Sequence, residues 1–180
     1  KKVYETAIKY VKDDTIVLDV GSNFGQLSVL LSKCKNNVEV YSFEASKYIF
    51  DILKKNVQIN NAKVKLFHNL VGNETEQELF IKKLNISKFN TYGSNMIEKT
   101  EIRNENRQNI EKINSIKIDD IFFDKKISFI KIDVQGYDLE VLKGSKNTII
   151  KQRMPIIFEY EEDFAKDFNY TFKNFENFID

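Results

Sequence analysis

The chain has 180 residues, of which 42% are hydrophobic, and this length and composition are typical of one globular domain. Its 28 Lys and Arg residues against 27 Asp and Glu residues give a net charge of +1, so a broad nonspecific nucleic-acid surface is not expected. A single cysteine excludes an internal disulfide. Because no apolar run approaches the ~20 residues of a membrane span and no signal peptide is visible, we expect a cytoplasmic domain.

Segments with strand-like and helix-like patterns alternate along most of the chain. The strand-like segments lie at 16–20, 38–43, 64–67, 127–132 and 156–160, with a shorter one at 78–82. The helix-like segments lie at 3–11, after Gly25, at 46–60, at 137–143, from Ser145 onwards and at 163–179. Strands separated by helices predict an α/β fold with a parallel, doubly wound sheet.

The first strand leads into a turn with the pattern Gly-x-x-x-Gly, formed by Gly21 and Gly25. Glycine turns between a strand and a helix bind nucleotide-like ligands in open α/β sheets, because they allow close approach to the backbone. Asp19 precedes this turn, and its carboxylate would repel the pyrophosphate of a dinucleotide. S-adenosylmethionine offers an ammonium, a sulfonium and ribose hydroxyls there instead. The turn therefore favours S-adenosylmethionine over NAD.

The second strand ends at Glu44, about 20 residues beyond the glycine turn. A carboxylate at this point can accept hydrogen bonds from both ribose hydroxyls of an adenosine. The dinucleotide fingerprint expects an acidic residue at the same spacing, so Glu44 alone does not separate the two cofactors.

Two further carboxylates follow later strands. Asp133 ends the strand at 127–132, at the edge where open α/β sheets bind ligands, and we expect it to orient the cofactor, the acceptor or both. A helix-capping or turn role is the alternative for Asp133. Glu159 is at the end of the last strand, with a solvent-facing place in the acidic cluster at 161–163 as its alternative.

The third strand is followed by His68 and Asn69. His68 is a candidate base, with a structural hydrogen-bonding role as the alternative. Asn69 is a candidate contact for the adenine amine, with simple loop placement as the alternative. The polar segment 86–112 is either a lid over the active site or a solvated loop or exposed helix.

Four motifs, taken in order, resemble the FkbM-type S-adenosylmethionine-dependent methyltransferases. They are LDVGSNFG at 18–25, YSFEA at 41–45, IDDI at 118–121 and IKIDVQGYDLEVLKG at 130–144. The resemblance implies a seven-stranded, Rossmann-like class I methyltransferase fold and O-methylation of sugars or hydroxylated natural products. Because proteins of this fold finish with a further strand pair, we expect the C-terminal strands to be missing from a chain that stops at Asp180.

The motifs and the resemblance together predict one domain over 1–180 and one site. The predicted cofactor contacts are Asp19, Gly21, Ser22, Asn23, Gly25, Glu44, Ala45, Asn69 and Asp133. The predicted acceptor contacts are Ser94, Asn95, Gln135 and Glu159, with Asp133 and His68 as catalytic candidates and no metal. The acceptor is expected to be a small molecule or a glycan rather than a nucleic acid.

Three positions depart from the family pattern. Ala45 replaces a proline and Ser22 replaces an alanine, and both changes should be tolerated. Gln135 replaces the more frequent glutamate and removes a carboxylate near the reaction centre. Two alternatives therefore stay open beside the methyltransferase: a nicotinamide-dependent oxidoreductase, which Asp19 disfavours, and a non-catalytic module of the same fold that binds cofactor or partners.

Overall fold

A computed structural model describes residues 2–82 and 110–179 of the chain. Within these ranges the strands are β1 (Ile16–Val20), β2 (Glu39–Phe43), β3 (Val64–Phe67), β4 (Leu70–Val71), β5 (Glu78–Lys82), β6 (Ile110–Ile116), β7 (Ile127–Ile132) and β8 (Ile156–Phe158). The helices are α1 (Lys2–Ala7), α2 (Gln26–Leu31), α3 (Lys47–Ile59), α4 (Asp138–Lys143), α5 (Lys146–Gln152), α6 (Glu162–Asp167) and α7 (Phe172–Ile179), with a 3₁₀ helix at Ile118–Asp120. Each of these helices is too short or too polar to cross a bilayer.

Five of the strands form one parallel sheet in the order β3-β2-β1-β7-β8. Every residue of β1 and β7 is buried, as expected for central strands covered by helices on both faces. The prediction of a doubly wound α/β sheet is confirmed. The chain enters the sheet at its centre, moves outward to β3 and then crosses to β7, so the strand order reverses beside β1.

The core has one layer on each face of this sheet. Residues Val17, Val40 and Phe129 pack under α1 and α2 on one face. On the other face the alternate strand residues pack with α4 and α7, where Leu139 and Phe175 are buried. Because successive side chains of a strand point to opposite faces, Asp19 lies on the same face as Val17.

A second, three-stranded sheet was not predicted. The strand at 78–82 is present, but β5 pairs antiparallel with β6, which in turn pairs parallel with β4. The two residues of β4 are too few to show a period. Strand β6 has apolar residues only at every third position, Ile110, Ile113 and Ile116, so it lacks the alternation typical of a strand. Residues 110–112 therefore belong to a strand and not to the predicted lid, and the remainder of the segment, 86–109, lies outside the described residues.

The last predicted helix, 163–179, is wrong in one respect. The structure divides it into α6 and α7. Asn169 lies between them with φ 57°, the left-handed conformation that commonly follows a helix end. Asparagine tolerates this conformation better than most residues, and this local preference overrides the continuous apolar pattern.

Candidate active site

A cavity of about 580 Å³ opens at the carboxyl edge of the parallel sheet, on the face covered by α1 and α2. Its lining includes most of the predicted site: Asp19, Gly21, Ser22, Asn23, Glu44, Ala45, Asn69, Asp133, Gln135 and Glu159. Of the predicted site residues within the described ranges, Gly25 and His68 do not line the cavity. Ser94 and Asn95 lie outside the described residues.

The register of the sheet explains why residues so far apart in sequence meet here. Across β2, β1, β7 and β8, the last paired row consists of Phe43, Val20, Ile132 and Phe158. The residue that follows each of them forms the next row: Glu44, Gly21, Asp133 and Glu159. Backbone N–H groups of Gly21, Asp133 and Glu159 continue the ladder, with N–O distances of 3.0, 3.2 and 3.1 Å to the preceding strand. Since neighbouring strands lie ~4.8 Å apart, three carboxylates line up around one glycine.

A polar row lies one step deeper in the sheet, where Ser42 and Lys131 flank Asp19. The Asp19 side chain is 1% exposed, and its Oδ2 accepts a hydrogen bond from Ser28 Oγ at 2.5 Å. Its Oδ1 lies 3.5 Å from Lys131 Nζ and accepts no hydrogen bond from any described residue. A buried carboxylate oxygen with spare acceptor capacity on the floor of a cavity is suited to a cationic ligand group.

Lys131 is the residue that the sequence analysis missed. Its Nζ donates hydrogen bonds to the carbonyl oxygens of Val20 (3.1 Å) and Gly21 (2.6 Å), and lies 3.6 Å from Asp133 Oδ2. One cation therefore holds the end of β1 in place and compensates two carboxylates, Asp19 and Asp133. The sequence feature that could have indicated its role is a lysine inside an otherwise apolar strand, two residues before Asp133.

Glu44 is buried, with both carboxylate oxygens engaged by the backbone. Its Oε2 accepts the N–H of Asn23 at 3.0 Å, and its Oε1 accepts the N–H of Ser46 at 2.9 Å. Burial raises the pKa of Glu44 above its usual value, and these two hydrogen bonds oppose that rise. Each oxygen retains a further lone pair, so the carboxylate is fixed in place and still able to bind a diol.

The glycine turn is required by space as well as by backbone conformation. Gly21 has φ 72°, and a Cβ there would lie 1.9 Å from the carbonyl oxygen of Asp133. Gly25 has φ 77°, and a Cβ there would lie 2.2 Å from Leu53 Cδ1 on α3. The first glycine thus keeps the turn against β7, and the second keeps α2 against α3.

Other predicted contacts have structural partners of their own. Ser22 Oγ donates a hydrogen bond to the carbonyl oxygen of Asp19 at 2.6 Å and closes the turn. Asn69 Nδ2 donates to the carbonyl oxygen of Asn114 at 3.2 Å, which ties the cavity wall to β6.

His68 follows β3 at the far end of the row of carboxylates. Its Nε2 lies 3.0 Å from the carbonyl oxygen of Ala45, and its ring lies 5.0 Å from the ring of Phe50. The structure therefore does not bring this catalytic candidate into the cavity with Asp133.

On the opposite side, Gln135 bridges two carboxylates. Its Nε2 donates to Asp133 Oδ1 at 3.4 Å and to Glu159 Oε2 at 3.2 Å. Partial burial, then the charge of Asp133 and a hydrogen bond shared with it, raise the pKa of Glu159 to about 7. Glu159 is thus a carboxyl group that titrates near neutral pH at the mouth of the cavity.

Asp138, and not Asp133, has the turn-stabilising role that was the alternative for Asp133. Asp138, which is 1% exposed, accepts the N–H of Val134 at 3.4 Å through Oδ1 and the N–H of Gly136 at 3.1 Å through Oδ2. Burial raises the pKa of Asp138 to about 6. Because Asp138 stabilises the turn into α4, the Asp133 side chain remains directed at the cavity.

Comparisons with known proteins agree with this geometry. A family model described as the methyltransferase FkbM domain matches residues 19–180. The fold is similar to that of a precorrin-6y C5,15-methyltransferase from Geobacter metallireducens GS-15 (TM-score 0.51, 12% identity, 98% of this chain and 70% of that chain). It is also similar to that of a candidate rRNA methylase from Clostridium thermocellum (TM-score 0.54, 11% identity, 99% of this chain and 76% of that chain). A comparison with curated proteins finds no significant match.

Proposed function

The chain belongs to the methyltransferase FkbM domain family, and from this premise we propose that it transfers a methyl group from S-adenosylmethionine to a hydroxyl of a small-molecule or glycan acceptor. Family and fold support methyltransferase activity that depends on S-adenosylmethionine. The hydroxyl acceptor is our own proposal.

The observation that carries this proposal is Asp19 Oδ1 on the floor of the cavity, which accepts no hydrogen bond from any described residue although Lys131 Nζ lies 3.5 Å away. A cationic ligand group would satisfy it, whereas a pyrophosphate would meet a buried negative charge. Glu44 has spare acceptor capacity for two ribose hydroxyls, and the glycine turn leaves room for a ligand against the backbone. In this arrangement Asn69 and Ala45 border the adenine, and Ser22 and Asn23 shape the turn.

The residues of β7 and β8 are proposed to act on the acceptor side. When bound, S-adenosylmethionine supplies a methyl group that is already activated on a sulfonium. Positioning therefore provides most of the rate, and a base adds ~10²–10⁴-fold for a poorly acidic hydroxyl. Asp133 lies between the two halves of the cavity, where its carboxylate favours a nearby cation. Gln135 and Glu159 line the cavity and can hydrogen-bond an acceptor hydroxyl. Ser94 and Asn95 stay predictions as acceptor contacts.

Calorimetric titration of the chain with S-adenosylmethionine, S-adenosylhomocysteine and NAD tests the cofactor. We expect the first two to bind and NAD not to bind, and preferential binding of NAD would favour the oxidoreductase. A panel of glycans and hydroxylated natural products, assayed for S-adenosylhomocysteine release, tests the reaction. Tight cofactor binding with no turnover across the panel would favour the non-catalytic module.

A further inference from the structure

Asp133 and Glu159 are adjacent for a reason that lies in the backbone. Each is the first residue beyond the paired residues Ile132 and Phe158, and the N–H of Glu159 donates to the carbonyl oxygen of Ile132 at 3.1 Å. Parallel strands in this register direct both side chains to the same face of the sheet. Two carboxylates on neighbouring strands are thereby held beside each other at the cavity.

The Gln135 amide holds the pair from one side, at 3.4 Å from Asp133 Oδ1 and 3.2 Å from Glu159 Oε2. Gln135 itself has φ 55°, a left-handed conformation that is strained for a residue of this type. Backbone strain of this kind concentrates at functional sites, where it directs a side chain. Here it places the Gln135 amide in contact with both carboxylates.

We propose that Asp133 and Glu159 work as a pair, in which Glu159 accepts the proton of the acceptor hydroxyl and Asp133 remains the charged partner. This inference rests on the proposed function and names the base for it. The pair belongs to a built ligand site, because the buried Oδ1 of Asp19, which accepts no hydrogen bond from any described residue, lines the same cavity.

The surrounding charges decide which carboxylate takes the proton. Lys131 Nζ compensates Asp133 at 3.6 Å, whereas no Lys or Arg in the described ranges forms an ion pair with Glu159. Asp133, Asp138 and Glu161 all face Glu159 with negative charge, from the ends of β7 and β8 and the start of α4. Two carboxylates this close do not both ionise easily, so the uncompensated one binds the proton. Its pKa of about 7 is well placed for a general base.

The acceptor oxygen forms a bond to the methyl carbon while the carbon–sulfur bond breaks, and the bonding pair remains on sulfur. The acceptor proton moves to a carboxylate oxygen of Glu159. The products are a methyl ether, neutral S-adenosylhomocysteine and a protonated Glu159, which then returns its proton to solvent.

A consequence of this arrangement is measurable without the acceptor. The positive sulfonium of S-adenosylmethionine lowers the proton affinity of a nearby carboxyl pair, whereas S-adenosylhomocysteine has the same amino acid and adenosine groups without that charge. Near pH 7, S-adenosylmethionine should therefore displace up to about 0.5 proton more than S-adenosylhomocysteine does.

Calorimetric titration of both ligands in buffers of different ionisation enthalpy counts these protons. We expect the excess release in the parent chain and in Glu162→Gln, a matched change at a side chain that is 71% exposed. The excess should disappear in Glu159→Gln. In Asp133→Asn, which removes the neighbouring charge, the pH of maximal release should move downward. Binding of both ligands with equal proton release in the parent chain would overturn the role of Glu159 alone, and binding of neither would overturn the proposed function.

Discussion

The two sides of the cavity use carboxylates in opposite ways. On the β2 side, Glu44 is buried and accepts two backbone N–H groups, so its position is fixed by the main chain. On the β8 side, Glu159 is accessible, Gln135 donates a hydrogen bond to it, and partial burial and then the charge of Asp133 raise its pKa. Main-chain donors thus fix a carboxylate as a rigid binding group, whereas a second carboxylate nearby makes a carboxyl group that exchanges a proton. Cofactor binding is expected on the first side and proton transfer on the second.

The largest expected effect is on turnover, at Glu159. Glu159→Gln should lower the rate by roughly 10²–10⁴-fold, because the amide cannot take the acceptor proton. The Kd for S-adenosylhomocysteine should stay within about twofold, since this side chain lies on the acceptor side. Steady-state kinetics beside calorimetry would check both, with Glu162→Gln as the control. An equal loss of affinity and rate would contradict the assignment of cofactor binding to the β2 side and proton transfer to the β8 side.

Lys131 lies between the two sides and should matter for folding. Lys131→Met removes the cation that compensates Asp19 and Asp133 and leaves Asp19 buried without it. Breaking such a buried pair lowers the free energy of unfolding by about 3 kcal/mol. Urea denaturation measures this, with exposed Lys166→Met as the control. A change below 0.5 kcal/mol, taken as roughly the surface-substitution range, would show that Asp19 tolerates burial without its lysine.

A substitution of Glu44 tests the binding side of the cavity. Glu44→Ala should weaken S-adenosylhomocysteine by roughly 1.5–3 kcal/mol, the scale of hydrogen bonds to a charged group. Glu39→Ala, at the opposite end of the same strand, is the control and should leave affinity unchanged. If calorimetry gives the same Kd for Glu44→Ala and for the parent chain, the ribose does not bind at Glu44.

The smallest effect is on the pH dependence of stability. The pKa of Glu159 is raised to about 7, so the folded chain binds this proton more tightly than the unfolded chain does. The stabilisation is full below about pH 4.5, the ordinary glutamate value, and is lost as the pH rises through 7. Asp138, with its pKa raised to about 6, acts in the same direction.

Glu39 contributes to the pH dependence of stability with the opposite sign. Lys125, and then Lys63 and Lys65, hold its pKa at about 2, so its contribution is present above about pH 4.5 and is lost as the pH falls toward 2.

The stabilisation from the Glu159 proton is lost toward high pH. Melting temperatures should therefore fall less steeply toward pH 8 in Glu159→Gln than in the parent chain. Parallel curves would mean that Glu159 does not hold a proton in the folded state.

Much of this arrangement could be predicted from the sequence, because strand ends are visible as the last apolar residue of a run. Glu44 and Asp133 each follow such an end, Asp19 lies one residue before the end of β1, and the parallel order of the strands brings all three to one edge. The role of Lys131 depends on its pairing with Asp19 in β1, and register between distant strands is not readable from either strand alone. The same holds for β6, which is a strand only because β4 and β5 pair with it.

The contact of Gln135 with both carboxylates could not be predicted for a different reason. Its side chain reaches both carboxylates because the backbone takes φ 55°, and a glutamine gives no sign of that conformation in the sequence. His68 was proposed as a base from its chemistry, yet its position after β3 directs Nε2 to the carbonyl oxygen of Ala45. The chemistry of single residues identified the candidate site residues, and the backbone geometry determines which of them face the cavity.

A crystal structure of the chain with bound S-adenosylhomocysteine would show which groups of the ligand each carboxylate contacts. We expect the ribose hydroxyls on the Glu44 carboxylate, the ammonium on Asp19 Oδ1, and the sulfur facing the pair Asp133 and Glu159. A ligand whose ribose lies away from Glu44, or whose sulfur points away from that pair, would contradict the division of the cavity into a binding side and a proton-transfer side.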